Sequence, residues 1–494
     1  MQQYILSIDQ GTSSTKALIF NSRGEAVAKG LELLQTNYFG DGFVEQHPEE
    51  IYQNVLAAVK KCLAAFVLQG YHPEQISCIG ISNQRETFVL WDKEGVPLHP
   101  AVVWQCKRSV KICEALKQQG LGEKIQQATG LVIDPYFSAS KILWLIQNRK
   151  EISDAIAKGD AYFGNIDTWL LYKLTNGQSY ATDHTNASRT LLFNLNTLQW
   201  DEELINILGL TGLQLPEIKP SAAFYGETDL NGLLKKPVPI TAMIGDSHAA
   251  AFGEGCFEKG SAKATLGTGC SIMMNIGNKP LPSTNGMVTT INWSVEGRVD
   301  YALEGVIVTC GATIEWLKNE MHLFNNSSET EAMAKAVNSN DGVYLIPAFS
   351  GLGSPYWQMD RRASISGMSF GTTKNHIVRA ALESIPYQIK DVVAAMESDA
   401  GIALQELMTN GGLTANKFVM QFLANLLNKK VNNSSMPDVS ALGAAFMAGL
   451  RAGIYKNIEA LQQLKITKTF YQPDGEKEQV QQWYAGWQQQ ILKN

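Results

Sequence analysis

The chain opens on two short apolar runs separated by a hydroxyl-rich turn: "YILSI", then Asp9, Gln10 and "GTSST", then "KALIF". Apolar runs of this length around a Gly-Thr-Ser turn predict a strand hairpin. The segment "HPEEIYQNVLAAVKKCLAAFVLQG" has a different rhythm. Ile51, Val55, Val59, Cys62 and Phe66 recur every three or four residues, which predicts an amphipathic helix, and Pro48 with two acids suits its first turn. "ISCIGIS" and "ETFVLWD" return to strand character on either side of "NQR". Strands alternating with helices place the chain in the α/β class. Half a chain later the opening pattern recurs in "AKATLGTGCSIMMNIG", with "GTGCS" in the frame of "GTSST". Two such hairpins predict a duplicated domain. A third glycine-rich point, "LMTNGGLTANKFVMQFLANLL", reads as strand, Gly411-Gly412, then helix.

A chain of 494 residues is too long for one hydrophobic core. We divide it at "FGEGCFEKGS", into residues 1–252 and 253–494. The net charge of −6, without acidic or basic blocks, lacks the footprint of a nucleic-acid binder. No stretch approaches the roughly 18 uninterrupted apolar residues of a spanning helix, so no integral membrane segment is expected. "MQQYILSIDQ" has no basic leader and is not a secretion signal. Seven cysteines without CxxC spacing read as reduced thiols of a cytoplasmic protein, not as a disulfide framework or zinc site.

GxxxxGK[ST], a strand-linked GxGxxG and HRD are all absent. Any phosphate loop is therefore of the hairpin type, an anion nest of backbone N–H groups and hydroxyls, with Asp9 at the strand end holding hydrated magnesium. The alternative for "DQGTSST" is an Asx-type turn closing a hairpin. Asp246 in "IGDSHAAAFGEG" sits where a strand ends and a helix begins. It reads either as an N-cap or as a general base taking a proton from an attacking alcohol. His248 receives no catalytic role. Arg85 and Glu86 form either an exposed ion pair or a polyol clamp, which needs a bend because strand neighbours face opposite ways. Trp104 is an apolar wall for the polyol carbons or a core residue. Tyr136 adds a hydroxyl.

Taken together, "DQGTSSTK", "SNQRET", "VVWQ", "DPYFSASKILWL", "TDHTNASRTLLFN", "YALEG", "PAFSGLGSPYW" and "NGGLTANKFVMQF" resemble the glycerol-kinase branch of the FGGY carbohydrate kinases, in the actin and hexokinase superfamily. The resemblance spans nearly the whole chain. It implies two duplicated actin/hexokinase-like (ribonuclease H-like) domains with ATP in the cleft between them. It also implies phosphorylation of a terminal hydroxyl of glycerol or a close polyol. Carried over, Asp246 is the base and a polyol ligand; Arg85, Glu86 and Tyr136 bind hydroxyls, and Trp104 packs on the carbons. Thr12, Ser13, Ser14 and Lys16 surround the phosphates. Thr268, Gly311, Gly412 and Asn416 match ATP contacts, Glu315 stands on the adenine side where many members have Gln, and Asp9 matches the magnesium carboxylate.

Three departures stand out: Ser247 follows the base in place of Gln, Ser271 replaces a pocket Phe, and Cys106 takes the place of an Asp. The two serines imply a roomier pocket, hence the alternative of a four- or five-carbon polyol or ketose kinase. An actin-like nucleotide switch is the alternative of another class, although it has no use for a polyol clamp. A homodimer or homotetramer is expected.

Overall fold

The computed structural model describes residues 3–434, 438–464, 468–475 and 477–493. The opening hairpin forms as expected. β1 (Tyr4–Gln10) pairs antiparallel with β2 (Ser14–Asn21), and β3 (Ala26–Leu33) continues the meander. On the other side of β1 lie β4 (Ile76–Asn83), β6 (Val238–Gly245) and the short β5 (Gly226–Thr228), giving the order β5-β6-β4-β1-β2-β3. β1, β4 and β6 run parallel, and β5 is antiparallel at the edge.

The second sheet repeats this plan. β7 (Ser261–Leu266) and β8 (Cys270–Gly277) form its hairpin, followed by β9 (Val288–Val295) and β10 (Arg298–Ile307). β11 (Glu406–Asn410), β12 (Val431–Ser434) and β13 (Lys468–Tyr471) complete the order β9-β10-β8-β7-β11-β12-β13. Again three neighbours are antiparallel (β10, β8, β7), then β7, β11 and β12 run parallel, and β13 is an antiparallel edge. β9 is the one addition. The expected α/β duplication is therefore present in strand order and direction.

α1 (Pro48–Leu68) buries Ile51, Val55, Val59, Cys62 and Phe66 against β2 and β3, the face that its periodicity marks. By length and mean hydropathy α1 could cross a membrane, although Gln53, Asn54, Lys60 and Lys61 interrupt its apolar residues. Its apolar stripe is nevertheless spent on the first sheet, as a core helix requires. The second sheet is covered by α4 (Lys374–Ala400) and by α5 (Lys417–Leu427), which follows Gly411-Gly412. Between the sheets runs α2 (Asp246–Gly253), which follows β6 and contacts strands of both, whereas α3 (Gly311–Asn319), which follows β10, packs on α4. Late in the chain, α6 (Val439–Arg451) returns to pack on α2 and on β1, β4 and β6. α7 (Lys477–Ile491) packs on α5 and α4.

Candidate active site

The cleft between the sheets has a volume of about 660 Å³ and is lined from both halves by Asp9, Lys16, Asp246, Ser247, Thr265, Gly411, Gly412 and Asp438. Its position follows from the strand directions, since parallel strands leave their C-terminal ends, with the loops that follow, along one edge of each sheet.

Asp246 is not an N-cap. Gly245 holds that position and Asp246 is the first helical residue of α2. Gly245 is required by a close approach: a Cβ there would stand 2.8 Å from Arg85 Cγ and Cδ. Asp246 Oδ1 accepts from the Ser247 amide at 2.6 Å and lies 3.3 Å from Arg85 Nε. Its side chain is 38% exposed, whereas that of Arg85 is 5% exposed.

The bend that Arg85 and Glu86 need is present, because Glu86 has φ +57° just beyond β4. The two residues are not an exposed pair. Arg85 donates to Glu304 Oε1 at 2.9 Å, Arg189 reaches Glu304 Oε2 at 2.7 Å, and Arg189 Nε donates to Glu86 Oε1 at 2.6 Å. All four are buried, and Glu304 comes from the second sheet. Burial works against Glu304 ionising, but Arg189 and Arg85 win and hold its carboxyl well below the carboxylate range. Burial pushes Glu86 upward despite the same two guanidinium groups.

Tyr136 stands edge-on to Trp104 at 5.5 Å, with the Arg189 guanidinium 5.7 Å from its ring centre. Burial raises its hydroxyl pKa, keeping it a neutral donor and acceptor. The Trp104 indole N–H donates to Thr12 Oγ1 at 3.0 Å, and Thr12 donates to Gln84 at 3.3 Å. The Thr12 side chain thus braces the Trp104 ring. In the same turn, the Ser14 carbonyl accepts from the Gly11 amide and the Ser13 carbonyl from Leu34. Cys106 is buried and accepts from Arg108 Nε at 3.0 Å, while Arg108 also pairs with Glu45.

Asp9 faces Lys16 across the hairpin and accepts from Ser82 Oγ at 2.6 Å. Burial, partly opposed by Ser82 and Lys16 and reinforced by Asp246 and Asp438, pushes its carboxyl up to about 6. Such a site is short of positive charge. A magnesium ion needs one or two carboxylates and fills its remaining positions with water and phosphate oxygens, so these residues fit it.

In the second half only Gly412 of the expected ATP contacts lines the cleft; Thr268 is the exposed tip of the β7–β8 hairpin, and its carbonyl accepts from Cys310 and Ala312 at the start of α3. Gly311 donates to the Gly267 carbonyl at 2.9 Å. Gly411, at φ +98°, brings the β11 turn so close to β7 that a Cβ would meet the Leu266 carbonyl at 2.4 Å. Gly412 borders open space and Asn416 caps α5, accepting from Val419. Glu315 lies exposed on α3, its carboxylate held by Lys318 and by Ser327 at 3.0 Å. Ser271 sits deeper, donating to Glu304 at 3.3 Å.

Sequence reasoning assigned no role to Arg189, Glu304, Lys263, Thr265 or Asp438. Arg189 and Glu304 lie inside the quoted "TDHTNASRT" and "YALEG", so the signal was the motif rather than a spacing. Asp438 opens α6 and pairs with Lys16 at 3.1 Å and Lys29 at 2.6 Å. His248 is fully buried, and burial and Arg85 drive its imidazole well below its usual range. It therefore stays neutral behind Arg85.

Residues 4–253 match the model for the N-terminal domain of the FGGY family of carbohydrate kinases, and residues 262–452 match the model for the C-terminal domain. A glycerol kinase of Brevibacillus brevis is 46% identical over 491 residues, covering 99% of this chain and 97% of the relative. One from Geobacillus sp. is 45% identical over 492 residues, covering 99% of each. The crystal structure of Plasmodium falciparum glycerol kinase with ADP superposes with a TM-score of 0.93 at 37% identity, covering 99% of this chain and 98% of that one. The chain belongs to the FGGY family of carbohydrate kinases.

Proposed function

We propose that this enzyme transfers the terminal phosphoryl group of ATP to a terminal hydroxyl of glycerol. The observation that carries the reading is the buried chain Glu86–Arg189–Glu304–Arg85 ending at half-exposed Asp246. It offers guanidinium donors and carboxylate acceptors beside an apolar wall, which suits a molecule whose hydroxyls both donate and accept. The full-length likeness to glycerol kinases supports it independently.

Arg85 and Glu86 hold the polyol hydroxyls, and Trp104 covers the carbons. Asp246 Oδ1 is occupied by the Ser247 amide, which fixes the carboxylate and leaves the other oxygen to take the alcohol proton. Lys16 and the turn amides face the phosphates, where positioning and charge compensation do most of the work. Asp9 would hold magnesium, which when bound supplies charge neutralisation to the phosphate oxygens. Closing the sheets on the substrates excludes water as a competing acceptor.

A four- or five-carbon polyol is the second reading, favoured by the small side chains of Ser247 and Ser271 near the clamp. ADP release from ATP is to be measured with glycerol, erythritol, threitol, xylitol and dihydroxyacetone. Glycerol is expected to give the highest kcat/KM. A longer polyol winning would transfer the assignment to that substrate, and no stimulation by any of them would contradict the kinase reading.

A further inference from the structure

The pseudo-symmetry of the two hairpins brings one further residue to the cleft. In the first hairpin Asp9 lies two residues before the turn glycine Gly11, opposite Lys16 in β2 and beside Ser82 in β4. In the second hairpin the residue two before Gly267 is Thr265, opposite Ser271 in β8 and beside Asn410 in β11. Thr265 is the one residue of β7 that is not buried, and it lines the same cleft as Asp9 and Asp246.

Lys263, two residues earlier on the same face of β7, is fully buried, and burial and Arg85 lower its pKa. Its ammonium donates to Thr265 Oγ1 at 3.1 Å and to Ser271 Oγ at 3.4 Å. A hydroxyl that accepts from a cation must point its own proton elsewhere. Ser271 directs its proton to Glu304. Among the described residues the Thr265 hydroxyl has no acceptor, and its open side is the cleft.

We propose that Thr265 is a catalytic residue that donates its hydroxyl proton as a hydrogen bond to an oxygen of the phosphoryl group in transit, with Lys263 as the positioning residue that fixes its direction. Asp9 and Thr265 then flank the transfer point from symmetry-related places on the two sheets. This rests on the kinase reading above. It extends that reading to a donor from the second half of the chain, aimed where negative charge develops.

The test begins with the parent enzyme on the polyol panel. An inactive parent would overturn the kinase reading and this inference with it, whereas an active parent isolates Thr265. Thr265→Val keeps the shape and removes the hydroxyl. It is expected to lose at least about tenfold in kcat, towards the ~10²–10³-fold cost of removing a preorganised donor. Its KM values for polyol and ATP should stay within about threefold, the signature of an interaction made in the transition state. Thr265→Ser restores the donor and is expected to recover most of kcat. A Thr265→Val enzyme with kcat near the parent value, or a Thr265→Ser enzyme as slow as the valine variant, would overturn the proposal. Lys263→Met, or Lys263→Gln should the methionine variant not fold, is expected to lower kcat, and adding Thr265→Val should lower it little further. Losses that multiply would show that Lys263 does not act through Thr265.

Discussion

Asp246 owes its candidacy to a combination of local facts. It is the first residue of a helix, half exposed at a cleft, with one oxygen fixed by the following amide and a buried guanidinium alongside. Asp246→Asn keeps the size and the acceptor for the Ser247 amide and removes the proton acceptor. We expect kcat to fall by ~10²–10⁴-fold, the usual contribution of a general base, with ADP affinity retained. A variant within a few-fold of the parent rate in the same steady-state assay would remove Asp246 from the role. At this scale the sequence is legible where residue type and a break in regular structure coincide. The clamp reading of Arg85 and Glu86 required a bend, and Glu86 supplies it. It is illegible where function depends on pairing across the molecule, because nothing local to Glu304 or Lys263 says which hydroxyl or guanidinium each will meet.

α1 was readable from the chain alone because burial on one face constrains every third or fourth position, and the two hairpins were readable as short apolar runs around a hydroxyl-rich turn. Where an element docks was not readable. α7 is polar along most of its length but buries Val480, Tyr484, Trp487 and Ile491, and Asp391 of α4 accepts from Tyr484 Oη at 2.5 Å and from Trp487 Nε1 at 2.9 Å, with Trp487 stacked on Tyr387. Asp391→Ala leaves two buried donors without a partner, each costing ~1–3 kcal/mol. A loss of about 2–4 kcal/mol in urea unfolding is therefore expected. A loss below about 0.5 kcal/mol, the size of an ordinary surface substitution, would mean that apolar packing docks the helix without Asp391.

Across the whole molecule, Glu304 of the second sheet holds Arg85 and Arg189 of the first half at once. Removing one partner of a buried pair typically costs ~3–5 kcal/mol, and Glu304→Gln should lose stability of that order near pH 7. The sign with pH follows from the depressed carboxyl. Its contribution is present above the unfolded-state value of about 4.3 and is lost as pH falls, so the gap between variant and parent should narrow in acid. Denaturant unfolding at pH 7 and at about pH 2.5, inside the window where the contribution is being lost, measures it, and a gap independent of pH would place the cost in packing instead. The duplication itself was legible from two matched turns, but the return of α6 to the first sheet was not, since no periodicity reveals which sheet a helix will join. The product itself decides whether this chain phosphorylates glycerol. ¹³C-labelled glycerol is incubated with ATP and the purified chain, and the product is followed by ³¹P and ¹³C NMR. A phosphomonoester coupled to a terminal carbon is expected, formed in step with ADP and lost in Asp246→Asn. ADP accumulating with inorganic phosphate and unmodified glycerol would contradict it.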